Sequence, residues 1–146
     1  MVADAIEHRI FYPKIRQMGI QPDPEDKAEF AKFVTHGTFS GLNQATLNDG
    51  LAIYYFQALL LLDDDVLRRQ IDQRYLSNGW NGPVKLGKAM AQIVLTAQPA
   101  TPSESITAFV ACANILLGGK IRISIDRWGS HKLGNVDELY VVMGVR

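Results

Sequence analysis

The strongest constraint on this chain is the length of its two apolar runs. Residues 51–62 are twelve in a row with a single glutamine, and residues 106–118 are thirteen with a single asparagine. A strand usually takes about 4–8 residues, and a membrane-spanning helix needs about 20. Both runs fall between these lengths. They are read as helices buried in a protein core.

The remaining helix signals agree. Asp23-Pro24-Glu25-Asp26 offers a cap, a proline suited to a first turn, and acids that complement the helix dipole. The helix it opens is expected to reach about residue 35, with Phe30, Phe33 and Val34 inward. Thr101-Pro102-Ser103-Glu104 is a capping box and opens the second apolar run. Leu67, Ile71 and Tyr75 recur every four residues, which predicts an amphipathic helix over 66–76. Residues 77–82, Ser-Asn-Gly-Trp-Asn-Gly, break it, and Pro83 is expected to open the next helix, to about residue 97. An N-terminal helix over 3–11 is expected to be kinked or interrupted at Pro13, with Ile15 and Met18 continuing its apolar stripe and Gly19 ending the segment. Residues 36–41 read as a loop.

The period changes after Gly118-Gly119. Ile121, Ile123 and Ile125 alternate with Arg122, Ser124 and Asp126, and Leu139, Val141, Met143 and Val145 alternate again. Alternation of this kind predicts half-buried strands. The expected fold is mainly α: one domain over 1–146, a bundle of five or six helices with a C-terminal antiparallel β-hairpin at about 120–145. At 146 residues, 47% of them hydrophobic, the chain has the size and composition of one globular domain. One cysteine, Cys112, excludes a disulfide framework and a cysteine-based zinc site. The N-terminus has an early acid and no apolar stretch, so no signal peptide is expected, and a cytoplasmic location is.

The net charge is zero, but the charges are unevenly placed. Residues 1–65 hold five basic and ten acidic residues, and residues 66–132 hold nine basic and three acidic. A basic segment of this kind suggests a polyanionic partner, unless the two halves only complement each other on folding.

Several motifs point to chemistry. Gly82-Pro83-Val84-Lys85-Leu86-Gly87-Lys88-Ala89 matches the opening of a phosphate-binding loop. Ala89 stands where a magnesium-binding hydroxyl belongs, no apolar strand precedes Gly82, and the Leu59–Leu62 run with Asp63 comes before the motif instead of after it. Nucleotide hydrolysis is therefore not expected, although a glycine-rich helix start can still hold a phosphate. Asp63-Asp64-Asp65 suits a helix N-terminus better than a metal, since consecutive helical acids diverge. His8, His36 and His131 form no metal-ligand pair by spacing. His36 near Ser40 leaves open a spatially assembled enzyme site there, or around 79–88. Cys112 has no basic neighbour and reads as a buried, inert thiol. A winged-helix reading of 83–145 is disfavoured because its recognition helix, 101–117, contains no lysine or arginine.

The best functional candidates are the basic clusters that contain tryptophan. Lys120, Arg122, Arg127 and Lys132 surround Trp128, and Lys85 and Lys88 follow Trp80. Arg68, Arg69 and Arg74 lie on the helix just before. Cations hold phosphates and an exposed indole can stack on a base. The expectation is a non-enzymatic nucleic-acid-associated protein, or a small subunit of a nucleoprotein assembly, that binds the phosphate backbone without sequence specificity. No catalytic residue, metal or cofactor is expected. The competing reading is a helical protein–protein or oligomerisation module, motivated by Tyr54-Tyr55-Phe56 and Leu59 to Leu62. In that reading both tryptophans anchor loops to the core.

Overall fold

The structure, a computed structural model, describes residues 2–19, 24–39, 44–118, 121–126 and 140–145. Six helices make up its main body: α1 Val2–Gln17, α2 Pro24–His36, α3 Gln44–Leu61, α4 Asp65–Ser77, α5 Asn81–Ala97 and α6 Pro102–Leu116. The chain is mainly helical, as its apolar periodicity requires.

Both apolar runs are helical. Residues 51–62 supply most of α3 and residues 106–116 most of α6. The α3 helix is buried on two sides at once. Ala52, Phe56 and Leu60 join α1, α5 and α6 in one core cluster, with Val2, Ile6, Met90, Val94 and Cys112. Leu51, Tyr55, Ala58 and Leu62 join α2, α4 and α5 in a second, with Val34, Ile71, Tyr75 and Val84. Leu59 packs against both. A helix enclosed on two sides has no polar stripe to show, which is why this run reads as apolar all round.

The helix ends follow their signals. Asp64 caps α4, accepting from the amides of Val66 at 2.8 Å and Leu67 at 3.1 Å. Thr101 and Glu104 form the expected capping box: the Glu104 amide donates to the Thr101 hydroxyl at 3.3 Å, and the Thr101 amide to the Glu104 carboxylate at 3.0 Å. The Ala100 amide donates to the same carboxylate, and these bonds hold the Glu104 carboxyl below its ordinary value.

Three boundaries differ from expectation. The α1 helix runs unbroken through Pro13 to Gln17, and ends, as expected, before Gly19, whose φ is +79°. Pro13 is exposed, and the helix forgoes the bond that another residue here would donate to Arg9. The α2 helix closes one residue late, at His36. The α5 helix begins at Asn81, so Gly82 and Pro83 lie inside its first turn and not before it.

The last difference changes the meaning of the Gly82–Ala89 motif. Every residue of it is helical, so no loop is present to wrap a phosphate. Gly87 instead marks a helix crossing. A Cβ built there would lie 2.8 Å from Tyr55 Cδ1, 2.9 Å from the Ala52 carbonyl oxygen and 3.1 Å from the Phe56 nitrogen. Two of these are backbone atoms of α3 and cannot step aside. Gly87→Ala is expected to destabilise the fold by about 1–3 kcal/mol through overpacking. Gly82→Ala, with nothing within 4 Å of the new Cβ, is expected to be neutral or slightly stabilising. Urea midpoints of the two variants against the parent check the pair.

Candidate functional site

The basic residues expected to form a binding surface fall into three groups. The first group is engaged by the fold. Arg74 leaves α4 toward the end of α2. Its guanidinium donates to the carbonyls of Phe33 at 3.1 Å, Val34 at 2.8 Å and Gly37. Carbonyls in the last turn of a helix are short of partners (that of Phe33 also accepts from the Gly37 amide, at 2.7 Å), and a cation there complements the dipole. The same guanidinium lies 5.1 Å from the Phe39 ring centre and 5.8 Å from that of Trp80. Arg74 is thus a cap and a stacked cation at once, with few donors left for a ligand. Arg68 is partly engaged: it donates to the Leu59 carbonyl at 3.3 Å and lies 4.0 Å from Asp65.

Trp80 belongs with Arg74. It is half-buried, edge-on to Phe39 at 5.8 Å and to Tyr75 at 5.3 Å between ring centres. Phe33, Phe39 and Tyr54 extend the stack, with centres 4.9–5.7 Å apart. Edge-to-face pairs at these spacings are favourable packing, so this indole anchors the α4–α5 turn onto the core.

The second group is exposed. Arg69 on α4, and Lys85 and Lys88 on α5, all face solvent, and none makes an ion pair among the described residues. Lys88 lies 6.0 Å from the centre of the Tyr55 ring. The short turn after Ser77 brings α4 and α5 together, so these cations lie on adjacent helices. The third group carries no described side chain. Arg122 lies in the described backbone of 121–126, while Lys120, Arg127, Trp128 and Lys132 lie outside the described residues.

Sequence reasoning missed a polar pair under this surface. The Tyr55 hydroxyl donates to the Asp72 carboxylate, joining α3 to α4. The Tyr75 hydroxyl donates to the Leu51 carbonyl at 3.0 Å, again tying α4 to α3. Nothing in a single sequence pairs Tyr55 with a residue on the next helix, and Tyr55 sits inside an apolar run. Burial raises both phenols well above their ordinary value of about 10, and at Tyr55 the Asp72 carboxylate adds to the effect.

The alternative chemical sites gain no partners. His36 is exposed at the end of α2, and Ser40 and His131 lie outside the described residues. Asp63 faces Lys27 at 3.6 Å, Asp64 is the α4 cap, and no group of three or more metal-ligating side chains occurs among the described residues. Burial pushes the Cys112 thiol up to about 11, and its Sγ lies 3.5 Å from the Met90 carbonyl, which suits packing and not nucleophilic attack. No described helix is long and apolar enough to cross a membrane. A scan against protein-family models finds no match, and searches of curated proteins and of solved structures find none either.

Two outcomes follow from this geometry. Arg74→Met keeps much of the stem but removes the cap, and is expected to cost about 2–3 kcal/mol, the scale of a charged hydrogen bond, in urea unfolding. Stability is also expected to fall at alkaline pH. The folded state keeps the Tyr55 and Tyr75 protons at pH values where the unfolded chain releases them. The native state then binds more protons than the unfolded one, so stability declines as pH rises past about 10. Unfolding free energies at pH 8 and pH 10.5 check this, and Tyr55→Phe is expected to show the shallower decline.

Proposed function

We propose that this protein is a non-enzymatic polyanion-binding module that holds a nucleic-acid phosphate backbone without reading sequence, alone or as a small helical subunit of a nucleoprotein assembly. The observation that carries this reading is the trio Arg69, Lys85 and Lys88: exposed, on adjacent helices, and without ion pairs among the described residues. Unpaired exposed cations are the groups that release counterions from phosphates. Arg74 and Trp80 leave the proposed contact set, because their polar and aromatic faces are taken up by Phe39, Tyr75 and the end of α2. Lys120, Arg122, Arg127, Trp128 and Lys132 stay in it as a second contact region. Arg68 is a marginal member.

The proposal extends to the fold around that second region. The chain forms one domain of the cytoplasm, and the segment after α6 folds as an antiparallel hairpin. Alternation of Ile121, Ile123 and Ile125 with polar residues supports the hairpin. So does the register of Ile121–Asp126 against Tyr140–Val145, which sets Ile121 opposite Val145 and Asp126 opposite Tyr140. The hairpin's connection would carry Arg127, Trp128 and Lys132 at its tip.

A second reading, a helical protein–protein module, is favoured by Val66 and Leu76, each 56% exposed on α4. Isolated exposed apolar residues are common, and the two lie at opposite ends of the helix, so they rank below the cations.

The test is fluorescence anisotropy of labelled single- and double-stranded oligonucleotides, titrated with salt. The parent is expected to bind more weakly as salt rises. Arg69→Ala, Lys85→Ala and Lys88→Ala combined are expected to lower the salt slope by about 2–3 on duplex, near 0.9 per lost phosphate contact. Arg122→Ala, Arg127→Ala and Lys132→Ala combined probe the second region. Absence of binding at low salt would overturn the reading and favour the protein-directed one.

A further inference from the structure

The α6 helix has two apolar faces, and only one of them meets another helix through described side chains. Ala108 and Cys112, with Ile115 and Leu116 beside them, face the core shared with α1, α3 and α5. About 145° round the helix, at 100° per residue, lies a separate cluster of Val110, Ala113, Ile106 and Leu117, with Phe109 between the two faces. Every member of this second cluster belongs to α6 or its cap. Yet Val110 and Ala113 are each only 8% exposed. A helix cannot bury its own outward face to that degree, so another part of the molecule covers it.

The chain itself supplies a matching partner. Gly118 turns the backbone at φ +58°, and the segment that follows, Ile121–Asp126, lies against α6, as α1 and α5 also do. The register pairs Ile121 with Val145, Ile123 with Met143 and Ile125 with Val141. Residues two apart share a face of a strand, so these six apolar positions share one face of the hairpin. Arg122, Ser124 and Asp126 take the other. A two-stranded hairpin is marginal alone in water and needs a surface to pack on.

We infer that the Val110–Ala113 face of α6 is a docking surface whose occupant is this chain's own C-terminal hairpin, seated through positions 121, 123 and 125 with 141, 143 and 145. The inference rests on the proposed strand pairing and not on nucleic-acid binding.

Photo-cross-linking of the full chain tests it, with p-benzoylphenylalanine in place of Ile106. The expected product is an adduct within one chain, to peptides from 121–126 or 140–145. An adduct between chains would place a second copy on the face, and an adduct to α1 would place that helix there; either overturns the inference. Amide exchange on the same protein separates the failures. With no adduct to the hairpin, protected strands would leave pairing intact and docking wrong, while unprotected strands would remove both. A second pair of variants reads the face. Ile123→Glu is expected to raise binding of an apolar-surface dye several-fold with helical dichroism kept, and Ser124→Glu to leave it unchanged. An equal response from the two would overturn the assigned face.

Discussion

The bundle depends on one close approach, that of α5 to α3 at Gly87. Here the backbone of one helix rests on the other, with a Cβ-sized space denied by Ala52, Tyr55 and Phe56. Because α5 sits this deep, it reaches both clusters: Met90 and Val94 on one side of α3, Val84 on the other. Any larger residue at 87 would push α5 outward and loosen both at once. The glycine costs the helix up to about 1 kcal/mol in propensity, a small loss beside the packing that it permits.

The polar groups of the second cluster then fix what apolar packing leaves free. Hydrophobic contact is non-directional, so Ile71 and Leu67 alone would let α4 slide along α3. Tyr75 bonded to the Leu51 carbonyl, Tyr55 bonded to Asp72, and Arg74 bonded across the end of α2 set its position and rotation. These bonds also divide the charges of α4. Arg74 points inward and neutralises carbonyl ends, while Arg69 on the far side keeps its donors. The helix is therefore a structural tie along one edge and a charged surface along the other.

The sequence makes the helices legible because their signals are local. Apolar runs of twelve and thirteen residues, the Thr101–Glu104 box and the Asp64 cap each act within one or two turns. What stayed hidden is non-local. Gly87 reads as part of a phosphate motif until α3 is seen lying against it. Arg74 and Arg69 look alike in sequence, five residues apart, and only the position of α2 separates a cap from a free cation. Trp80 follows the same rule, its indole claimed by Phe39 and Tyr75 from other segments. Periodicity gives each residue a face, but not what stands opposite that face.

The simplest explanation of the charge asymmetry is mutual neutralisation of the two halves. If the acidic and basic halves existed to neutralise each other, ion pairs would run between them. Among the described residues, Lys27 pairs with Asp63, both in the acidic half, and the approach that crosses between the halves is a local one, Arg68 to Asp65 at 4.0 Å, three residues apart on the same helix. No arginine or lysine of 66–118 reaches an acid in 1–62 within ion-pair distance among those residues. Charges farther apart than about 8 Å in physiological salt are largely screened, so distant complementarity would add little to stability. The excess of positive charge after residue 66 is therefore not consumed by ion pairing among the described residues. Of its described part, Arg74 caps α2, and Arg69, Lys85 and Lys88 stand exposed on α4 and α5.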